Sequence, residues 1–317
     1  MILGISLGAA FLATITASLT WFDNRVNLSP SINGGSAAAY FAYGRGTKDE
    51  PYGITNPRHL YNLAWLQYLG KFDSTTIYFE LAADINMDDE KHSTIKALPP
   101  IGNSEHPFIG QFTSKTDDNG KYHTISNLKI SNSYNDFGIT PYSVTNTSYT
   151  SDNIVGMFGV VGDPTKKTNP DTKIDNFYLE SPTITSTNSQ ALAGIVAGYV
   201  NAEISSVGVI TPTMSFPTTD QATSPLQQVT FKNETTKEFK NVSDYSVVGY
   251  CEDAYKSSIS SSVTKLKNSI SYNTVSKPND HGGSQKGWGG SVDMQKMYDG
   301  LLTQVYNNVK SNDQGAI

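Results

Sequence analysis

The side chains that could carry chemistry are five histidines, one acidic run and a scatter of tyrosines. His59, His92, His106, His123 and His281 show no His-Glu-x-x-His pair and no other close ligand spacing, so each reads as a surface or turn residue. Asp84-Ile85-Asn86-Met87-Asp88-Asp89-Glu90 offers side-chain oxygens at its first, third and fifth places, as a calcium loop does. Its sixth place is Asp89 where such a loop needs glycine, and its twelfth is Ile95 where it needs a bidentate acid. The run therefore reads as a strand end entering an acidic turn. The expectation is no cofactor, with calcium as the weaker alternative. The sequence has no Gly-x-Ser-x-Gly elbow and no phosphate loop. Tyrosine rings remain, and aromatic faces stack on sugars or peptides. Tyr43, Tyr134, Tyr142, Tyr149 and Tyr178 lie among polar neighbours. The insertion 132–153 holds Tyr134, Tyr142 and Tyr149, which are the candidate ligand contacts; no catalytic, cofactor or metal residue is expected.

Composition narrows the class. Of 317 residues only 16% are charged, and the formal charge is −6. No basic face is available to neutralise phosphates, which argues against nucleic-acid binding. Abundant Ser, Thr, Asn and Tyr suit a β-rich surface of hydroxyls and amides. A single cysteine, Cys251, excludes an internal disulfide and any multi-cysteine zinc site, and its neighbours Val247, Val248 and Tyr250 suggest burial. From Ile2 to Phe22 the chain carries no charge and is rich in Ile, Leu, Ala and Phe. A run of about 20 apolar residues can span a bilayer as a helix. Residues 1–22 are expected to be a signal peptide or a membrane anchor, although no basic residue precedes them, with a buried core helix as the alternative. Residues 23–51 read as a spacer.

The body, residues 52–275, reads as mostly strands. One short amphipathic helix comes first, with Asn56 as N-cap, Pro57 as first helical residue and Gly70 closing it. Strand patterns follow at Thr76–Leu81, Ala83–Met87, Phe108–Phe112 and His123–Ile130, with a type I′ turn expected at Asn119-Gly120. Residues 276–317 read as a linker and a C-terminal helix over Ser291–Tyr306.

Two units recur. Ile125-Ser126-Asn127-Leu128-Lys129-Ile130 is echoed by Ile174-Asp175-Asn176-Phe177-Tyr178-Leu179 and by Ile204-Ser205-Ser206-Val207-Gly208-Val209. Apolar residues occupy the first, fourth and sixth places of each copy. Between the copies lies a glycine-bearing unit, Val155 to Val161 and again Ala193 to Val200, with a degenerate third copy at Ser246 to Tyr250. Glycine beside a short apolar run allows close approach between stacked backbones. The polar insertions 132–153 and 163–173 are expected to loop outward, and 212–240 to form a surface flap.

At these residues the chain resembles bacterial surface proteins carrying the GLUG motif, a repeat with a glycine–apolar–glycine core. The upstream order also resembles them: Leu81 to Ile85, Pro100-Ile101-Gly102, Phe108 to Phe112, then Gly120 to Ile130. The resemblance covers roughly residues 52–210. It implies a right-handed parallel β-helix and an extracellular, often adhesive role, with no catalytic residue to carry over because the motif is structural. The expectation is a mostly β solenoid with an N-terminal hydrophobic helix and short flanking helices. Its function would be that of an exported cell-surface adhesin or scaffold, contacting an extracellular glycan or a host or matrix protein and reaching the membrane through its N-terminal segment. The competing readings are a carbohydrate-active β-helix enzyme, lyase or hydrolase, and a structural stalk for another module such as a peptidase.

Overall fold

The chain makes four passages through parallel strands, and each from the second on pairs with the one before it. The computed structural model describes residues 40–188, 191–210, 212–215, 227–231, 235–239 and 246–255. The apolar run 1–22 and the C-terminal helix expected at Ser291–Tyr306 lie outside them. The first passage is β1 (Tyr52–Ile54), α1 (Pro57–Tyr68), β2 (Tyr78–Leu81) and β3 (Ile85–Asn86). The second is β4 (Gln111–Ser114), β5 (Thr124–Ser126), β6 (Lys129–Ser131), β7 (Ile154–Val155) and β8 (Phe158–Val161). The third is β9 (Lys173–Glu180), β10 (Thr183–Thr185) and β11 (Leu192–Val200). The fourth is β12 (Glu203–Ile210), β13 (Thr213–Ser215), the hairpin β14 (Gln227–Phe231) and β15 (Thr235–Phe239), then β16 (Ser246–Cys251).

These strands make three parallel sheets. The first has the order β1-β2-β4-β9-β5-β3, with β12 on the other side of β9. The second is β6-β10-β13, and the third joins β7 and β8 to β11 and then β16. Among the described residues only β14 and β15 form an antiparallel sheet. The fold is mostly β, and α1 is the sole α-helix among the described residues.

Each sheet turns one face to a common apolar core. Tyr52, Phe79, Phe112, Ile174 and Ile204 follow one another in register across the first sheet, each at most 1% exposed. Phenylalanines interlock along this row, Phe112 lying edge-on to both Phe158 and Phe177 at 5.6 and 5.2 Å. Burying each such side chain contributes about 1.5–3 kcal/mol.

The corners explain the six-residue unit. Asn127, Asn176 and Ser206, its third place in all three copies, have φ of +58°, +64° and +56°. A left-handed residue breaks the alternation of a strand, so places one and four both face inward. All nine apolar places are buried. Asn tolerates this conformation better than other L residues, and the Asn127 amide also donates to Asn86 Oδ1 at 2.9 Å.

The stacking of these copies differs from what their likeness suggests. Ile174 pairs with Ile204, but Ile125 pairs with Leu179 and Ile130 with Ile184. The first copy therefore lies against Leu179-Glu180-Ser181-Pro182-Thr183-Ile184, whose own left-handed residue is Ser181, φ +51°. Two successive corners use the same device, so they leave the same signature in the sequence. The glycine units, in contrast, do align: Val160 and Tyr250 both pair with Tyr199. At Gly194 a Cβ would run into the carbonyl oxygen of Ala197 and come within 2.5 Å of Gly249 N.

Other expectations are corrected locally. Asn56 caps α1, its Oδ1 accepting from His59 N at 3.2 Å. Yet every residue from Leu60 to Gln67 is buried, so α1 is enclosed and not amphipathic. The insertion 132–153 does not loop outward: Phe137 and Val144 are buried and Tyr149 packs on α1. Residues 212–240 include β13, which adds to the second sheet, and the hairpin β14–β15, whose Phe231 packs on Tyr199 at 5.0 Å. At Asn119-Gly120 the chain does reverse, with Thr116 bridging Tyr122, but only Gly120 has positive φ, so the turn is not type I′. Tyr40 and Phe41, within the stretch 23–51 read as a spacer, are buried in the core.

Two substitutions test this account through the urea unfolding midpoint. Ser206→Asn relieves a strained corner and is expected to stabilise by about 0.5–1 kcal/mol. Gly194→Ala forces a methyl into the neighbouring backbone and is expected to destabilise by about 1–3 kcal/mol.

Candidate functional site

The three tyrosines of the insertion divide between packing and exposure. Tyr149 stacks on Tyr68 at 5.1 Å and meets Trp65 and Phe137 edge-on at 6.1 and 5.1 Å. Tyr134 donates its hydroxyl to Val144 O at 3.3 Å and packs against Phe137. Both rings are half-buried, because the aromatic side of α1 requires a cover and the insertion supplies it. Tyr142 alone is open, at 73% exposure. The structure thus does not gather Tyr134, Tyr142 and Tyr149 into one binding face.

The histidines and the acidic run are held in separate local pairs. His92 pairs with Asp89 at 3.0 Å, His106 with Asp73 at 2.6 Å and His123 with Asp84 at 3.3 Å. His59 lies against Thr55 and Asn56, and burial holds its ring below the ordinary histidine value. His281 lies outside the described residues. Asp88 is engaged by Lys129 at 2.7 Å and Asn86 by Asn127. No group of three or more His, Cys, Asp or Glu side chains among the described residues is arranged to hold a metal ion. Cys251 is buried.

Among the described residues a larger and a smaller cleft open on the outer faces. The larger, of about 530 Å³, lies over the second sheet. Lys129, Thr183 and Thr185 line its floor, with Asp88, Lys96 and Asp136 around them. It is a hydroxyl-rich surface, and the Asp136 carboxylate accepts from Ser131 Oγ at 2.5 Å.

The smaller cleft, of about 370 Å³, adjoins the first sheet. Alternation along β2 buries Phe79 and Leu81 inward and points Glu80 out. There the Glu80 carboxylate accepts from the Tyr43 hydroxyl and from Lys115 Nζ, both at 2.7 Å. Lys115 Nζ also donates to the Tyr43 hydroxyl at 3.0 Å. The ring of Tyr43 lies over Gly53, where a Cβ would collide with its Cε1 and Cζ. Further along the same face Lys173 Nζ reaches Asp175 at 3.0 Å and Glu203 at 3.2 Å.

The charges of this face sustain one another. The hydrogen bond from Lys115 to Glu80, and then that to Tyr43, raises the Lys115 ammonium above its ordinary value against the opposing effect of burial. Burial lowers Lys173, but Asp175 and Glu203 outweigh it and the net shift is upward. Tyr43 is raised by burial, with Lys115 opposing and Glu80 adding. Of this constellation the sequence singled out only Tyr43. The signal available was Glu80 between two inward apolar residues; its meeting with Lys115 depends on the pairing of β2 with β4. No family model, curated protein or solved structure matches this chain.

Stability at high pH follows from the buried tyrosines. Burial raises Tyr61, Tyr149 and Tyr199 well above their ordinary value of 10.0, Tyr199 also through Glu252. Below that value both states are protonated and the stability is full; above it the unfolded chain ionises first. The urea midpoint is expected to hold to about pH 9 and fall steadily above pH 10. Tyr149→Ala is expected to cost about 2–3 kcal/mol at neutral pH, and Tyr142→Ala less than about 0.5 kcal/mol.

Proposed function

We propose that this chain is an exported cell-surface protein that works by presenting binding surfaces, not by catalysis. Its body is a right-handed parallel β-helix, with α1 closing the first end and residues 1–22 serving export or anchoring. Support for the solenoid comes from the three parallel sheets and the repeated left-handed corners. The in-register glycine units support the likeness to GLUG-motif surface proteins.

The observation that carries the functional reading is the mutual pairing of charges on the outer faces. Lys115 with Glu80, Lys173 with Asp175 and Glu203, and Lys129 with Asp88 are tied at 2.7–3.2 Å. A lysine acting as general base in a lyase needs its proton affinity lowered toward neutrality. Here Lys115 and Lys173 are shifted the other way. These directions support a surface that hydrogen-bonds a ligand and releases it unchanged.

The test is a retention screen of the purified chain on immobilised glycans and matrix proteins, with the retained material analysed by mass. Recovery of an unaltered ligand is expected. A shortened or unsaturated glycan would replace this reading with an enzyme, and no retention on any support would leave a structural stalk.

A further inference from the structure

We infer that the cleft beside Tyr43 is a preformed subsite for a pyranose ring of a neutral glycan; this rests on the reading of the chain as a glycan-contacting surface protein.

The cleft has a rigid aromatic wall. Tyr43 is 39% exposed although its ring is held at both ends. Its hydroxyl is clamped between the Glu80 carboxylate and the Lys115 ammonium, and Glu80 itself is only 8% exposed. Its backbone is pinned as well: Gly53 N donates to Tyr43 O at 3.0 Å, and Ala42 N to Gly53 O at 2.9 Å. Gly53 has no side chain to lift the ring away. Lys115 Nζ sits 3.0 Å from the hydroxyl oxygen and over the ring at 4.9 Å from its centre, so it fixes the ring from the hydroxyl side, and the ring keeps its 39% exposure beside that contact. A ring fixed before binding loses little freedom when a ligand stacks on it.

The rest of the lining lies on a tied backbone and supplies polar groups. Arg45 N and Thr47 N both donate to Glu50 O, at 2.8 and 3.2 Å, and Gly46 O accepts from Tyr78 N on β2. Arg45 and Glu50 pair at 3.1 Å, and Asp49 completes the rim. The apolar C–H face of a pyranose matches the ring, and its hydroxyls match carboxylate acceptors and guanidinium donors at the edge. Two cations, Arg45 and Lys115, face three carboxylates, Asp49, Glu50 and Glu80. That near-balance favours an uncharged sugar and disfavours a polyanion.

The experiment titrates the full chain with cellohexaose, maltohexaose, chitohexaose and mannohexaose, and with polygalacturonate as the polyanion, by calorimetry and saturation-transfer NMR. At least one neutral hexasaccharide is expected to bind saturably. Tyr43→Ala and Gly53→Ala are each expected to weaken it by about tenfold or more, Tyr43→Phe by less, and Tyr142→Ala not at all. Circular dichroism and the urea midpoint establish that each variant is folded, and the Tyr43→Phe and Tyr142→Ala results stand if Gly53→Ala fails to fold. Binding unchanged in Tyr43→Ala, preference for polygalacturonate, or no binding by any neutral hexasaccharide would overturn the subsite. Retention on other glycans or matrix proteins in those cases would leave the broader reading standing, which separates the two failures.

Discussion

The structure depends on the backbone ladder of β9. Its first half pairs with β4, its second half with β5, and its whole length with β12 on the other side. Parallel pairing on both edges fixes register, because a slip of one residue would turn every inward side chain outward. Ile174, Phe177 and Leu179 are therefore committed to the core together, and the passages before and after must present apolar residues opposite them. The second and third sheets follow from this alignment, since the chain reaches them through corners whose positions β9 and its partners set.

Corners are the cost of that arrangement. Residues Asn127, Asn176, Ser181 and Ser206 occupy left-handed backbone, a conformation L residues adopt at a penalty of about 1–2 kcal/mol. The penalty is accepted because the kink points two nearby apolar side chains inward where plain alternation would waste one of them. Insertions are tolerated between corners for the same reason. The stretch 132–153 folds back to cover α1, while β14–β15 lays Phe231 over a small apolar patch of Ile154, Val160, Leu192 and Tyr199 on the outside of the third sheet. Both insertions thus act as covers, and the outer faces left open are the polar ones.

Those open faces carry paired charges because a parallel sheet brings side chains from distant passages within one strand spacing, about 4.8 Å, of each other. Glu80 and Lys115, or Lys173 and Glu203, are neighbours only through that spacing. The same geometry lets Tyr43 lie across Gly53 and reach Glu80. An aromatic wall and its polar rim arise together from the edge of the first sheet.

Much of this was legible in the sequence. The N-cap at Asn56, the β-rich body, the glycine units and the burial of Cys251 follow from local rules of capping, alternation and side-chain size, which need no knowledge of distant residues. The six-residue unit was visible too, but its stacking was not, because identical corners at Asn127 and Asn176 look equivalent and only the ladder shows that Ile125 meets Leu179. The exposure of Tyr134 and Tyr149 was misjudged because polar neighbours in sequence say nothing about a helix such as α1 arriving from another passage. The Tyr43 cleft was hidden for the same reason. Residue types and periodicity determine which side chains seek the core and where the backbone bends; which of the remaining side chains meet is decided only when the parallel ladders set the register between passages.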